Sequence, residues 1–286
     1  MWLSANMNHT ANSVLALFMA ALKRLFADEA VPLAGNIAFR TMFSFFPFMI
    51  FVTTLAGFFG TQDLAKRIID FLLSVAPEQL VRPLSGEILS ILTVQRGGLL
   101  SLSAVITIWS AMGGVDSIRV ALNRAYDIKE NRSIWFLYVQ NVLFVIGAAI
   151  LLLAVALLLV VFPVFISALT KFAPDLLINF DSLDRLRYPL AILILVVGLL
   201  IAHQILPARS IPVMRLLPGI LLTVVVWVIL SAIFSIWLVS FNSFATTYAS
   251  LSGIFAAMFF LYLAALVLIF GGEFNRVLIE IRDSRA

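Results

Sequence analysis

Cysteine is absent from the 286 residues, which excludes disulfides, thiolate metal sites and cysteine nucleophiles. Histidine is nearly absent: His9 and His203 are the two present, little material for a catalytic metal centre. Charge is scarce as well. Asp, Glu, Lys and Arg make up 12% of the chain, about half the share of a soluble domain. So few charges cannot cover the exterior of a soluble globule of this length, and neither a disordered tail nor a fibrous repeat fits. Runs of basic residues are also lacking. The net charge is +4 and the pI near 9.7, with cations spread along the chain, so no nucleic-acid footprint is present and no nucleic-acid partner is expected. What is abundant is apolar surface, with 63% hydrophobic residues and a mean hydropathy of +1.10. That composition makes the bilayer the solvent and membrane lipids the first partners.

A spanning helix needs about 20 mostly apolar residues. Six stretches qualify, at about 36–59, 99–115, 135–161, 188–206, 217–241 and 252–272. They are continuous rather than alternating, which favours helices over a closed barrel. The expected fold is therefore all-α: one membrane domain over 1–286 with six transmembrane helices plus amphipathic interfacial helices. The tail 1–35 carries Val14, Leu17, Phe18, Ala21, Leu22 and Leu25 at helical spacing, which predicts an interfacial helix over 13–27. Lys23 and Arg24 follow this apolar run instead of preceding it, unlike a cleavable signal. In the outer loop 60–98, Leu64, Ile68, Leu72 and Val75 form one stripe and Leu80, Leu84, Ile88 and Ile91 another, predicting two amphipathic helices. A second tail occupies 273–286.

Six spans place both termini on one side. That side holds twelve of the nineteen cations and eight of the fifteen acids, a net of +4, and the other side nets zero. The positive-inside rule then makes both termini cytoplasmic.

Polar residues within spans need a reason, since an ionisable group at the bilayer centre costs roughly 2.5 to 3.5 kcal/mol on insertion scales. Asn36, Arg40 and Ser44 share one helix face, and Pro47, one turn on, is expected to break the helix by freeing a carbonyl near Phe43. Two readings fit Arg40: it snorkels to the headgroups, or the stripe faces the bundle interior. Ser110, Gln140, Asn141, His203, Gln204 and Glu273 all lie toward the inner ends of their spans. Ordinary polar span ends would explain this. So would a cytoplasm-facing vestibule that binds an anionic or amphiphilic substrate, with Arg40 pairing Glu273 or the substrate headgroup.

The stretch Ala38-Phe39-Arg40-Thr41-Met42-Phe43-Ser44-Phe45-Phe46-Pro47 resembles the first-span signature of the YihY/virulence factor BrkB family. The resemblance continues at Trp109-Ser110, Leu122-Asn123-Arg124-Ala125-Tyr126, Glu130 with Arg132, Leu206-Pro207 and Pro218-Gly219. It returns at Trp227, Phe234, Tyr248, Leu251 and Gly271-Gly272-Glu273. Tyr248-Ala249, Phe260-Leu261-Tyr262 and Gly271-Gly272 depart slightly from the family's Tyr-Gly, Trp-Leu-Tyr and Gly-Ala. The resemblance implies a six-span protein of the bacterial inner membrane, linked to envelope integrity, without a settled biochemical activity. The family's former label, ribonuclease BN, is regarded as a misassignment.

The residues give that label no support. A nuclease needs clustered His, Asp or Glu, or a positioned acid–base pair, and neither histidine has an acid within four residues. No enzyme activity, metal or cofactor is expected. Two functions stay open: transport or flipping of an amphiphilic or anionic envelope component, and a non-transporting scaffold for envelope machinery.

Overall fold

The computed structural model describes residues 14–59, 66, 97–162, 180–241 and 249–284. The predicted helices of the 60–98 loop, and His9, fall outside the described residues or almost so. Every regular element among the described residues is a helix. In order the chain forms α1 (Val14–Ala27), α2 (Ala30–Phe59), α3 (Gly97–Ala125), α4 (Ile134–Ala156), α5 (Phe180–Ile205), α6 (Val213–Phe241) and α7 (Ala249–Asp283), with a π-helical turn, Leu157–Val161, after α4. Among the described residues six helices, α2 to α7, are long and apolar enough to cross a membrane. Their outward faces are apolar: Trp135, Ile236 and Val105 are all exposed, as lipid-facing side chains are and water-facing ones rarely are. This is the architecture of a multi-pass helical membrane protein.

Local chemistry sets several boundaries. Glu29, between α1 and α2, and Asp127, after α3, adopt left-handed backbone angles with φ of 56° and 53°. At Asp127 the amide of Ile128 reaches back to the Asn123 carbonyl at 2.8 Å, a six-to-one closure that stops α3 with Asp in the place glycine usually takes. Ser133 caps α4 by accepting from the Phe136 amide at 3.4 Å. Pro47 lies within α2, and the helix runs through it. The expected break is thus reduced to one lost backbone hydrogen bond, because an apolar surround makes ending the helix costlier than kinking it. α7 continues as helix through 273–283, where a tail was expected, held by the Arg276–Glu280 pair at 2.8 Å and the Arg24–Glu280 pair at 2.6 Å.

The chain divides into two compact units. The first, built from 1–39 and 115–286, has two apolar cores. In one, Ala21 and Leu25 of α1 meet Ala30, Ala34 and Ile37 of α2, Ala121 and Ala125 of α3, and Ile269, Phe270 and Val277 of α7. Alanines let these backbones approach closely where no hydrophobic drive separates protein from lipid. In the other, Leu122, Leu199, Leu206, Leu216, Ile220 and Leu268 join α3, α5, α6 and α7. The second unit, 40–114, carries the remainder of α2 and α3.

Candidate functional site

Glycine brings α6 and α7 of the first unit together. A Cβ on Gly219 would fall on the Gly271 carbonyl oxygen, and one on Gly271 would fall on the Thr223 hydroxyl. That contact admits Asn275, fully buried, whose Oδ1 accepts from the Gly219 amide at 2.6 Å. Its amide nitrogen donates to the Leu216 carbonyl at 2.8 Å and to the Tyr126 hydroxyl at 3.3 Å. Tyr126 in turn lies 2.7 Å from Nδ1 of His203. Burial pushes the Tyr126 hydroxyl well above the usual phenol range, so it keeps its proton and donates it to Nδ1. The His203 ring proton is then assigned to Nε2, which is buried without a partner. Trp227 fastens the same helix pair higher up, donating to the Ala264 carbonyl at 2.9 Å.

Beside this chain lies an ionic knot. Glu130 accepts from Arg119 Nη1 at 2.5 Å, from Asn123 at 3.0 Å, and from Arg132 through Nε, Nη2 and the backbone amide at 2.8, 2.8 and 3.1 Å. These bonds, led by the Arg132 guanidinium, hold the Glu130 carboxyl far below the usual carboxylate range. Arg119, nearly buried, also grips Asp116 at 2.7 Å. Arg132 extends the knot to the end of α5, donating to the Leu206 carbonyl at 2.6 Å and to Gln140 at 3.0 Å. Gln140 donates to the Ile205 carbonyl at 2.8 Å, and the Ala208 amide donates to Asn123 at 2.9 Å. The carbonyls left open by the end of α5 are thus met by side chains from two other segments.

Glu273 is different. It is fully buried, and neither carboxylate oxygen has a hydrogen-bond partner. Its helix neighbours Phe270 and Val277 belong to the apolar core with Ala21 and Leu25. The nearest arginine on its own helix is Arg276, and Arg24 of α1 reaches the same stretch of α7. Both arginines are already committed to Glu280, at 2.6 and 2.8 Å.

The other expected site residues separate by unit. In the first, Asn36 donates to the Ser117 hydroxyl at 3.2 Å. Asn141 is buried with Oδ1 unpartnered, and Gln204 is half-buried. Gln140, Asn141, His203 and Glu273 therefore all lie in one unit's interior, on α4, α5 and α7. In the second unit, Arg40 donates to the Gly113 carbonyl at 3.3 Å. Ser44 and Ser110 turn back onto their own helices, donating to the Thr41 carbonyl at 2.7 Å and the Ile106 carbonyl at 2.8 Å. The second unit also has an apolar cleft of about 360 Å³ between α2 and α3, lined by Phe43, Phe46, Pro47, Ile50, Leu102, Ser103 and Ile106.

Sequence patterning passed over Tyr126, Asn275, Thr223 and the Arg119–Glu130–Arg132 knot as site residues. The signal was present in the Leu122–Tyr126 run and the Glu130, Arg132 pair, which stood out only by resemblance. Among the described residues no group of three or more His, Cys, Asp or Glu could hold a metal ion.

The family model described as virulence factor BrkB matches residues 21–286. YfkH of Bacillus subtilis (strain 168), whose name styles it ribonuclease-like, is 30% identical over 270 residues, covering 91% of this chain and 95% of that protein. No solved structure gives a significant match.

Proposed function

The chain belongs to the virulence factor BrkB family, and on that premise we propose that it moves an amphiphilic or anionic envelope component within or across the bacterial inner membrane, both termini lying in the cytoplasm. The observation behind this reading is a set of buried, unpartnered polar atoms on three helices of one unit: Asn141 Oδ1, His203 Nε2 and both oxygens of Glu273. In a bilayer each such group costs energy with no local return. They make sense where water, a proton or a polar headgroup visits them. The proposed contact residues are Asn36, Arg40, Ser44, Ser110, Gln140, Asn141, His203, Gln204 and Glu273. The orientation rests on the +4 surplus of the terminal side.

The test is reconstitution into liposomes with head-labelled anionic and zwitterionic lipids and with small anions. Accelerated lipid exchange or anion flux that is lost in Asn141→Leu and His203→Leu is the expected result. Flux indistinguishable from empty liposomes for every probe would overturn the reading.

The alternative is a scaffold for envelope machinery, favoured by the Glu130 knot, in which the acid, both guanidiniums and the exposed end of α5 have their partners. The ribonuclease-like name of the Bacillus relative is not carried over, because Asp116, Glu130, Glu280 and Asp283 are each engaged with arginine. RNA left intact by the purified protein with magnesium, manganese or zinc is the expected outcome.

A further inference from the structure

In the second unit α2 and α3 share one seam with two different ends. At one end they are close: Arg40 donates to the Gly113 carbonyl at 3.3 Å, and a Cβ on Gly113 would come within 3.1 Å of the Arg40 guanidinium. A Cβ on Gly114 would likewise lie 3.6 Å from the Thr41 hydroxyl. Glycine permits this approach. At the other end the seam opens into the apolar cleft of about 360 Å³, lined by Phe43, Pro47 and Ile50 on α2 and by Ser103 and Ile106 on α3. Pro47 and Ser103 are short, and they leave a gap that larger side chains would close. Helical spacing ties the two ends together. Arg40, Phe43, Pro47 and Ile50 recur at three and four residues and so share one face of α2, as Ser103, Ile106 and Gly113 share one face of α3.

Size, polarity and charge define an occupant. From Phe43 to Ile50 the cleft runs about 10 Å, at about 1.5 Å of rise per residue. That lies within the roughly 15 Å that one leaflet of hydrocarbon presents, half of a core about 30 Å thick. One acyl chain fits such a cleft; a helix about 10 Å across does not. Phe43 and Ile106 keep exposed surface, so the cleft is open from the side. Arg40 is exposed, and it is the sole charged residue among the described residues of 40–59 and 97–114. No acid stands among them to hold an ammonium group, whereas a guanidinium matches the fork of phosphate oxygens.

We propose that the α2–α3 seam binds an anionic phospholipid, with one acyl chain in the cleft and the phosphate on Arg40, about one helical turn from Phe43. The bond to the Gly113 carbonyl holds the guanidinium on the α3 side of the seam. The inference deepens the proposed function by naming the lipid class and the place of its chain, and it rests on that reading in setting Arg40 against an anionic headgroup.

The test is photo-cross-linking of the full-length protein in phosphatidylcholine nanodiscs. The probes are phosphatidylglycerol and phosphatidylcholine, each carrying a diazirine partway along one acyl chain, and the labelled peptides are mapped. Phosphatidylglycerol should label 43–50 and 102–106 about fivefold more than phosphatidylcholine does, as one cation acting on one headgroup gives. Arg40→Gln should bring the two lipids level, and Ile106→Trp, which fills the cleft, should remove labelling there by both. Equal labelling of the unmodified protein would mean ordinary boundary lipid and would overturn the site. Labelling found only elsewhere would mean that another part of the chain occupies the cleft, and it would overturn the site as well. A preference unchanged in Arg40→Gln would overturn the headgroup assignment. If Arg40→Gln does not fold, the preference of the unmodified protein and its loss in Ile106→Trp decide. Inorganic phosphate, compared with chloride at equal ionic strength, should leave the labelling in place; displacement by it would make this a free-anion site and overturn the lipid assignment. Binding is read without flux, so failure here is distinct from failure of the liposome experiment.

Discussion

Glu130 and Glu273 are two acids of one unit, and the environments around them are opposite. Glu130 keeps part of its surface in water, yet two guanidiniums, an amide side chain and a backbone amide converge on it. Glu273 has no exposed surface and no hydrogen bond. The first arrangement joins three chain segments by satisfying every group it contains. The second leaves energy unspent in the fold, which is the mark of a group kept for something other than stability. A buried ion with partners is structural, and one without them is a candidate for chemistry.

Four changes would break or sharpen that contrast. The largest effect should come from Glu130→Ala, which takes the common acceptor from Arg132 and Asn123 and leaves the nearly buried Arg119 with Asp116 alone; a loss of about 3 kcal/mol is expected, since a hydrogen bond to a charged group is worth about 1.5 to 3 kcal/mol, read as a drop in thermal stability in detergent. The same contact sets an acid limit. The folded Glu130 carboxyl lies below its unfolded value, so its stabilisation is complete above the ordinary range near 4.3 and fades as pH falls below it. Acid unfolding of the native protein that starts well above that range would contradict this assignment.

Gly219→Ala comes next. Its methyl group would meet the Gly271 carbonyl, and overpacking of this kind costs about 1 to 3 kcal/mol; the α6–α7 contact and the Asn275 bonds should loosen together in hydrogen exchange. Tyr126→Phe removes one donor to His203 and one acceptor for Asn275, a loss of about 1 to 2 kcal/mol. Smallest is Glu273→Gln. With no bond to lose, it should leave the melting temperature unchanged within about 0.5 kcal/mol or raise it. A large destabilisation would show that Glu273 has an unrecognised structural partner and would erase the contrast with Glu130.

Much of the architecture was legible in sequence because apolar length is a local property. The stretches at 135–161 and 217–241 correspond closely to α4 with its π turn and to α6. The helical spacing of apolar residues at 13–27 matches α1. What hydropathy missed lies where charge interrupts it. α7 was expected to end near 272, since Glu273, Arg276, Glu280 and Arg282 dilute the apolar signal. The helix goes on because those charges pair along it and with Arg24 on α1, a partner more than 250 residues away in sequence. Tyr126 and Asn275 were invisible as a pair for the same reason.

Of the polar residues singled out beforehand, Ser44 and Ser110 spend their hydroxyls on their own helices, as serine in an apolar helix commonly does. Gln140, Asn141, His203 and Glu273 are buried instead. Spacing along a helix tells which residues share a face. It does not tell whether a neighbour's carbonyl or guanidinium will be there to meet them.

By itself, the sequence determined the apolar, helical character and the six long apolar helices found among the described residues: composition and run length act through transfer free energy, which each segment expresses alone. Only the tertiary structure decided which acid is satisfied and which is not. Partnering is a property of packed helices, and the glycine contact of α6 with α7 and the lie of α1 over Glu273 exist only once those helices meet.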